Sequence, residues 1–165
     1  MSYKVIPYTY GKRSNTDINS LTGMSRGDTV FNYDTQLVEI YNGILWVDER
    51  SVMYKIAGTE VVSLGECVQT NTNGEILRTG ASSKNEFAGV VTRGGSSTGY
   101  ATVAFAGKVQ VLAGASIVSG TALVLYTNGR VNDDTTPGSS VLGWCMESKT
   151  SGNLAWMALQ TIELY

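Results

Sequence analysis

The sequence predicts an all-β protein, a β-sandwich or barrel of about ten to twelve short strands. Its 165 residues are enough for one compact domain, or two small ones, with a buried core. Nineteen glycines stand against two prolines, and only 16% of the residues are charged. Such a composition, with Ser, Thr and Asn spread throughout, favours many short strands joined by tight turns. In outline, we predict two similar β units, preceded by an extended N-terminal arm and one short helix.

Residues 1–26 are predicted to form the extended arm. They show no sustained strand or helix period, and they contain turn residues at Pro7 and Gly11. The segment is basic, with four Lys and Arg residues against a single Asp. It also contains three tyrosines, and large amphipathic rings on an exposed segment normally cover a surface. A frayed terminus is the alternative interpretation.

Residues 27–58 are predicted to form a small β meander followed by the short helix. In the meander, β-favouring runs at 37–41 and 44–47 flank an Asn42-Gly43 pair. This pair is a strong hairpin signal, because a type I′ turn needs positive φ at both central residues.

The short helix is predicted over residues 49–57. Val52, Met53 and Ile56 would lie on one face of it, and an aspartate precedes it as a cap. Gly58 follows the segment as a natural C′ residue.

Residues 59–165 are predicted to form a β domain of two related units, at about 65–112 and 120–162. Turn and strand residues of the first unit reappear in the second at a nearly constant offset, as Gly65 and Gly120, Gly74 and Gly129, Ile76 and Val131, and Gly89 and Gly143. A fixed offset of this kind indicates an internal repeat. Chance similarity between two glycine-rich segments is the alternative. Between the units, residues 102–112 alternate in hydropathy, which predicts one half-buried strand with a bulge or close approach at Gly107.

The composition excludes most catalytic and metal chemistry. The chain has no histidine, so Ser-His-Asp triads, Cys-His pairs and most zinc sites are impossible. A G-x-S-x-G match at Ser97 lies in a Ser/Gly loop between β runs, where a nucleophile elbow has no helix to follow it. Adjacent aspartates at 133 and 134 are interpreted as a solvated turn, with a weak calcium site as the alternative. We therefore expect no enzyme activity, no metal and no cofactor.

The net charge argues against nucleic-acid and membrane partners, and the cysteines and tryptophans are interpreted as core residues. A net charge of −2 gives the whole molecule no electrostatic footprint for nucleic acid or for an anionic membrane. Cys67 and Cys145 are interpreted as buried, reduced thiols, and a disulfide is the alternative. The three tryptophans each lie inside an apolar β run, which favours core packing over a sugar-binding platform.

The second half of the sequence resembles the small decoration, or cement, proteins of tailed-bacteriophage heads. The similar segments are 87–91, 103–111, 120–125 and 141–145, within a stretch of about residues 60–162. Separately, residues 21–31 and 41–46 look like a β module that is common in phage virion components, including fibres. The resemblance implies a non-enzymatic structural protein, made in the cytoplasm of the bacterial host. Such a protein binds the outer surface of the capsid and stabilises the expanded head.

The resemblance also implies the partners and the contact segment. The expected partners are the major capsid protein and, in a homotrimer, neighbouring copies on the shell; no nucleic acid or membrane is expected. An N-terminal arm that reaches onto capsid subunits recurs in these proteins. We therefore expect the capsid contact to include the tyrosines and basic residues of the arm, namely Tyr3, Lys4, Tyr8, Tyr10, Lys12 and Arg13. A receptor- or glycan-binding module of a fibre or head spike is the alternative function.

Overall fold

The fold comes from a computed structural model, which describes residues 9–14, 18, 20–32, 37–80, 87–133 and 141–160. Fourteen strands and one turn of 3-10 helix lie in these residues, and the strands form three sheets. The predicted all-β class is therefore confirmed. No helix in this part of the chain is long and apolar enough to cross a membrane.

The strands are short and are numbered in chain order. They are β1 (Thr9–Arg13), β2 (Thr29–Asn32), β3 (Leu37–Tyr41), β4 (Trp46–Val47), β5 (Ser51–Lys55), β6 (Cys67–Thr70), β7 (Ile76–Arg78), β8 (Phe87–Arg93), β9 (Tyr100–Ala104), β10 (Gly107–Leu112), β11 (Ala122–Leu125), β12 (Val131–Asp133), β13 (Gly143–Cys145) and β14 (Leu154–Leu159). The 3-10 turn is Thr127–Gly129.

The chain divides into two compact units, residues 1–49 and residues 50–165. The first unit contains one sheet in the order β1-β2-β3-β4, which we call the N-terminal sheet. Strand β1 runs parallel to β2, whereas β2, β3 and β4 are antiparallel neighbours. Ile18, Val30 and Trp46 form its buried core. The predicted meander is present as β2, β3 and β4.

The hairpin between β3 and β4 forms where the sequence predicts it, but its loop is longer than two residues. The Asn42 N–H donates to the Leu45 carbonyl oxygen at 3.1 Å. The Asn42 side-chain oxygen accepts the N–H groups of Ile44 and Leu45 at 3.0 and 2.9 Å. Asn42 therefore organises the loop through its side chain, as Asx turns do.

The second unit contains two five-stranded sheets with the same topology. The first has the order β5-β9-β8-β6-β7, and the second has the order β10-β14-β13-β11-β12. Strands β5 to β9 thus correspond, each in turn, to β10 to β14. We call residues 51–104 the first repeat and residues 107–159 the second repeat.

The repeat extends to hydrogen bonds outside the regular strands. Backbone bonds of nearly equal length recur at equivalent positions: Gly65 N–H to Val91 carbonyl (2.8 Å) and Gly120 N–H to Cys145 carbonyl (2.8 Å), and Ala57 N–H to Ile76 carbonyl (2.9 Å) and Gly114 N–H to Val131 carbonyl (2.7 Å). Strands, turns and connections of one repeat therefore have counterparts in the other.

Two equivalent glycines let neighbouring strands approach closely. A Cβ atom on Gly89 would lie 2.2 Å from the Ala104 carbonyl oxygen, and one on Gly143 would lie 2.2 Å from the Ala158 carbonyl oxygen. Any side chain at either position would collide with the backbone of the next strand. This contact explains why a glycine stands at the same place in both repeats.

The helix predicted over residues 49–57 is wrong. Ser51–Lys55 is strand β5, which pairs antiparallel with β9 along its whole length. Three apolar residues on one predicted face are too few to distinguish the periodicity of a helix from that of a strand. The pairing with β9, a strand distant in sequence, decides in favour of a strand. The aspartate before this segment therefore precedes a strand and does not cap a helix.

The single strand predicted over residues 102–112 is two strands in two different sheets. Strand β9 ends at Ala104, and β10 begins at Gly107, which has a φ of +86°. A Cβ atom on Gly107 would lie 2.2 Å from the Arg50 side chain, so this position is a close approach between chain segments. Strand β10 thus opens the second repeat, although the sequence placed it at the end of the first unit.

Candidate interaction surfaces

Strand β1 carries the described part of the predicted capsid-contact arm. Tyr10 is half-buried, and its ring stands edge-on to Trp46, with the ring centroids 5.9 Å apart. Lys12 and Arg13 are exposed on the same strand. The other three predicted contact residues, Tyr3, Lys4 and Tyr8, lie outside the described residues. The structure thus brings Lys12 and Arg13 to the surface, where we call them the basic edge, and turns one tyrosine towards the core.

The outer face of the N-terminal sheet is apolar around this basic edge. Lys12, Phe31 and Val38 are opposed across β1, β2 and β3, so their side chains share one face, and Ile40 lies on it two residues further along β3. Val38 is 55% exposed and Ile40 is 49% exposed. The Lys12 ammonium lies 5.8 Å from the centre of the Phe31 ring. We call these four residues the N-terminal sheet face.

The opposite face of the same strands carries a buried carboxylate. Glu39 lies between the two exposed apolar residues of β3 and is itself buried. The Asn32 side-chain amide donates a hydrogen bond to Glu39 Oε1. A buried carboxylate is retained only when it is paired in this way. Strand β3 therefore reverses the usual arrangement, because its apolar side chains face outwards and its carboxyl group faces inwards. The alternation in the sequence does not reveal which of the two sides faces the core.

A second exposed apolar surface lies on the second-repeat sheet. Trp144 is opposed to Ala158, which is opposed to Lys108, and Trp156 lies two residues from Ala158 on the same face. Trp144 is 49% exposed. The Lys108 ammonium lies 4.2 Å from the centre of the Trp156 ring. We call these four residues the tryptophan face.

The predicted core packing of the tryptophans holds for one of the three. Trp46 is buried in the first unit, Trp156 is half-buried, and Trp144 faces solvent. No local signal separates Trp144 from the others, because the apolar run around it resembles a core strand.

No protein-family model matches the sequence, and no curated protein matches it significantly. Among solved structures, the crystal structure of the head fiber gp8.5 N base of bacteriophage phi29 matches with a TM-score of 0.54. The match covers 70% of this chain and 98% of that chain, at 18% sequence identity. The two chains share a fold.

The structure places the serine motif and the two cysteines that the sequence analysis considered for chemistry. Ser97 lies in the turn before β9, beside Thr98 with a φ of 63°, and a strand rather than a helix follows it. No cluster of three potential metal ligands occurs in the described ranges. Cys67 and Cys145 are both free and buried, and burial raises the pKa of each thiol, which favours the protonated form.

The clearest ion pair lies on the surface of the first repeat. Lys55 Nζ is 2.7 Å from Glu75 Oε1. This hydrogen bond lowers the pKa of Glu75, with a further contribution from the Asn71 amide, and it raises the pKa of Lys55. Both groups are solvated, so the pair is a surface interaction and does not mark a reactive site. The surfaces that remain as candidate sites are the basic edge, the N-terminal sheet face and the tryptophan face.

Proposed function

We propose that this chain is a structural protein of a tailed-bacteriophage virion, which binds the outer surface of the capsid and stabilises the expanded head. The observation that carries the proposal is the fold shared with the phi29 head fiber base, a component of a phage head by its description. The sequence resemblance to head decoration proteins supports the same location. The proposed function uses no catalytic group and no cofactor, and it involves neither nucleic acid nor a membrane.

The capsid contact is proposed to lie in the first unit. Exposed Lys12 and Arg13 supply positive charge, and the adjacent Val38 and Ile40 supply apolar area. A central apolar patch with a charged rim is typical of a protein interface. Tyr3, Lys4 and Tyr8, which precede β1 in the sequence, are proposed to take part in the same contact, while Tyr10 supports it from the core side.

The proposed partner is the major capsid protein, and the proposed state on the shell is a homotrimer beside neighbouring copies. A lattice presents many identical sites, so several modest contacts act together through effective concentration. The apolar surface on one face and the basic edge beside it suit a protein that makes many simultaneous contacts.

Binding to expanded heads tests the proposal directly. The purified chain is mixed with expanded heads that lack it, and bound protein is quantified after sedimentation. Lys12→Ala/Arg13→Ala is expected to bind less than the unmodified chain, whereas the control Arg78→Ala/Lys149→Ala removes the same charge from the second unit and is expected to bind normally. Bound protein is also expected to raise the temperature at which the heads release DNA. Heads that bind none of the unmodified chain would contradict the proposal.

A second candidate is a receptor- or glycan-binding module of a fibre or head spike. Two observations favour it: the matched structure is the base of a head fiber, and Trp144 and Trp156 share one face, where aromatic rings can stack on sugars. This candidate predicts that the isolated chain binds host cells or a glycan array and that Trp144→Ala abolishes the binding. Capsid binding without cell or glycan binding would exclude it.

A further inference from the structure

The two repeats pack against each other through a contact that begins on β8 of the first repeat. Val90 of β8 is 0% exposed, and β10 of the second repeat lies against this strand. Gly65 is crowded at the same contact, since a Cβ atom on it would lie 2.3 Å from Leu154 Cδ2. The Leu112 N–H donates a 2.8 Å hydrogen bond to the Gly65 carbonyl oxygen.

The second repeat supplies a different surface to this contact. Val109 of β10 is 2% exposed. A Cβ atom on Gly129 would lie 2.9 Å from the Cys67 carbonyl oxygen, so the 3-10 turn presses against the first repeat. The contact therefore joins two unlike surfaces, which is a head-to-tail arrangement.

The surface of the second repeat that corresponds to the covered part of β8 is open. Trp144 occupies the position that Val90 has in the first repeat. The residues opposed to Trp144 on its two neighbouring strands are the repeat equivalents of the residues opposed to Val90. Val90 is fully buried, and Trp144 is half exposed. Gly120 stands where the first repeat has Gly65, and an added Cβ there would meet nothing within 4 Å. The tryptophan face is thus the uncovered copy of a surface that is covered once within the chain.

The complementary surface of the first repeat is open as well. Val52 of β5 stands where the second repeat has Val109, and it is 44% exposed. Gly74 stands where the second repeat has Gly129, and an added Cβ there would meet nothing within 4 Å. We call Val52, Lys55 and Gly74 the β5 end.

We propose that the tryptophan face binds the β5 end of a second copy of this chain. The chain already contains one contact between these two kinds of surface, and the proposed contact repeats it between molecules. An exposed tryptophan beside small residues also suits the centre of an interface, where tryptophan is enriched. The inference does not rest on the proposed function, because it concerns two copies of the chain alone.

The proposed contact includes a backbone hydrogen bond. Lys55 occupies the position of Leu112, and Gly120 occupies the position of Gly65. Strand β5 is an edge of its sheet, and an edge strand can take a further backbone partner. In the proposed contact, the Lys55 N–H of one copy donates to the Gly120 carbonyl of the next.

Mixing two variants tests the head-to-tail arrangement. Trp144→Asp blocks the tryptophan face, and Val52→Asp blocks the β5 end; both residues are exposed, so both variants are expected to fold. The mass of each species is measured by sedimentation velocity from micromolar to millimolar concentration. The unmodified chain is expected to form rings or chains. Each variant alone is expected to stay monomeric, and an equimolar mixture is expected to double the mass and stop there.

Other outcomes overturn the proposal. If the unmodified chain is monomeric at every concentration, the tryptophan face does not bind a second copy, whatever the result on capsids. If Val52→Asp still forms dimers while Trp144→Asp does not, the face pairs with itself. If a glycan or another protein occupies the face and no self-association occurs, the proposal also fails.

A glycine variant provides an independent arm of the test. Gly74→Asn suits the positive φ of 73° and has open space in one chain, but in the proposed contact its side chain would collide with the next copy. Gly152→Asn is the matched control, because Gly152 has a φ of 81°, equal space and a first-repeat counterpart, Thr98, that carries a side chain. Only Gly74→Asn is expected to lose self-association. Equal behaviour of the two variants would overturn the proposed geometry.

Discussion

Tyr10 and Trp46 stand edge to face, with ring centroids 5.9 Å apart and ring planes at 89°. They belong to β1 and β4, the two outer strands of the N-terminal sheet, so their contact crosses the whole sheet. Tyr10 therefore joins β1 to the core, while Lys12 of the same strand lies over Phe31 on the other face. Deleting the arm through residue 14 would remove a strand as well as a contact surface, and point substitutions separate the two effects.

Tyr10→Ala is expected to destabilise the first unit. Losing a half-buried aromatic ring and its edge-to-face contact costs about 1–3 kcal/mol. Urea unfolding followed by tryptophan fluorescence measures this loss. Lys12→Ala, on the outer face of the same strand, is the control and is expected to leave the unfolding midpoint nearly unchanged. Equal midpoints for the two variants would contradict the role of Tyr10.

Gly143→Ala is expected to destabilise the second repeat by about 1–3 kcal/mol, because the added methyl group meets a backbone carbonyl that cannot turn away. Thermal unfolding measures the effect. The double variant Gly143→Ala/Ala158→Gly should show no rescue, since the collision is with the carbonyl oxygen of residue 158 and not with its side chain. Rescue in the double variant would place the strain elsewhere.

Asn32→Leu is expected to lower the free energy of unfolding by about 1.5–3 kcal/mol, because it withdraws a hydrogen bond from a buried carboxylate. Combining it with Glu39→Met replaces both partners by apolar groups and is expected to recover part of the loss. A double-mutant cycle by urea denaturation gives the coupling energy between the two residues. Additive losses would show that the pair is not coupled.

Stability is expected to fall at both ends of the pH range through the Lys55–Glu75 pair. The pKa of Glu75 is lowered, so its contribution is present above the usual carboxyl range and is lost as pH falls through the depressed value. The pKa of Lys55 is raised, so its contribution is present below the usual lysine range and is lost as pH rises through the elevated value. Carbon NMR titration of the Glu75 carboxyl in the unmodified chain and in Lys55→Met checks the first shift, which should become smaller in the variant because the Asn71 hydrogen bond remains.

The repeat could be predicted from the sequence because its markers are local. Gly65, Gly74 and Gly89 mark turns and a close strand contact, and such needs are met by glycine wherever the unit recurs. The helix prediction fails over residues 51–55 because this segment has mixed polarity. It forms a strand by pairing with β9, which is distant in sequence. The sequence of five residues alone does not reveal such long-range pairing.

The candidate surfaces were harder to predict for a related reason. The positions of Val90 and Trp144 are equivalent, and only the place of each repeat in the pair decides that one is covered and the other is open. The basic arm is evident in the sequence as a cluster of charges. The outward direction of Val38 and Ile40 is not, because it depends on which face of the sheet packs against the core.

The two buried thiols can report local opening of the protein core. Cys67 lies in one five-stranded sheet and Cys145 in the other, and neither is linked in a disulfide. Both sulfurs belong to one hydrophobic cluster that the two repeats share, so a thiol-reactive dye reaches either of them only when that cluster opens. If the two repeats separate at this shared cluster, the two thiols should be labelled at similar rates.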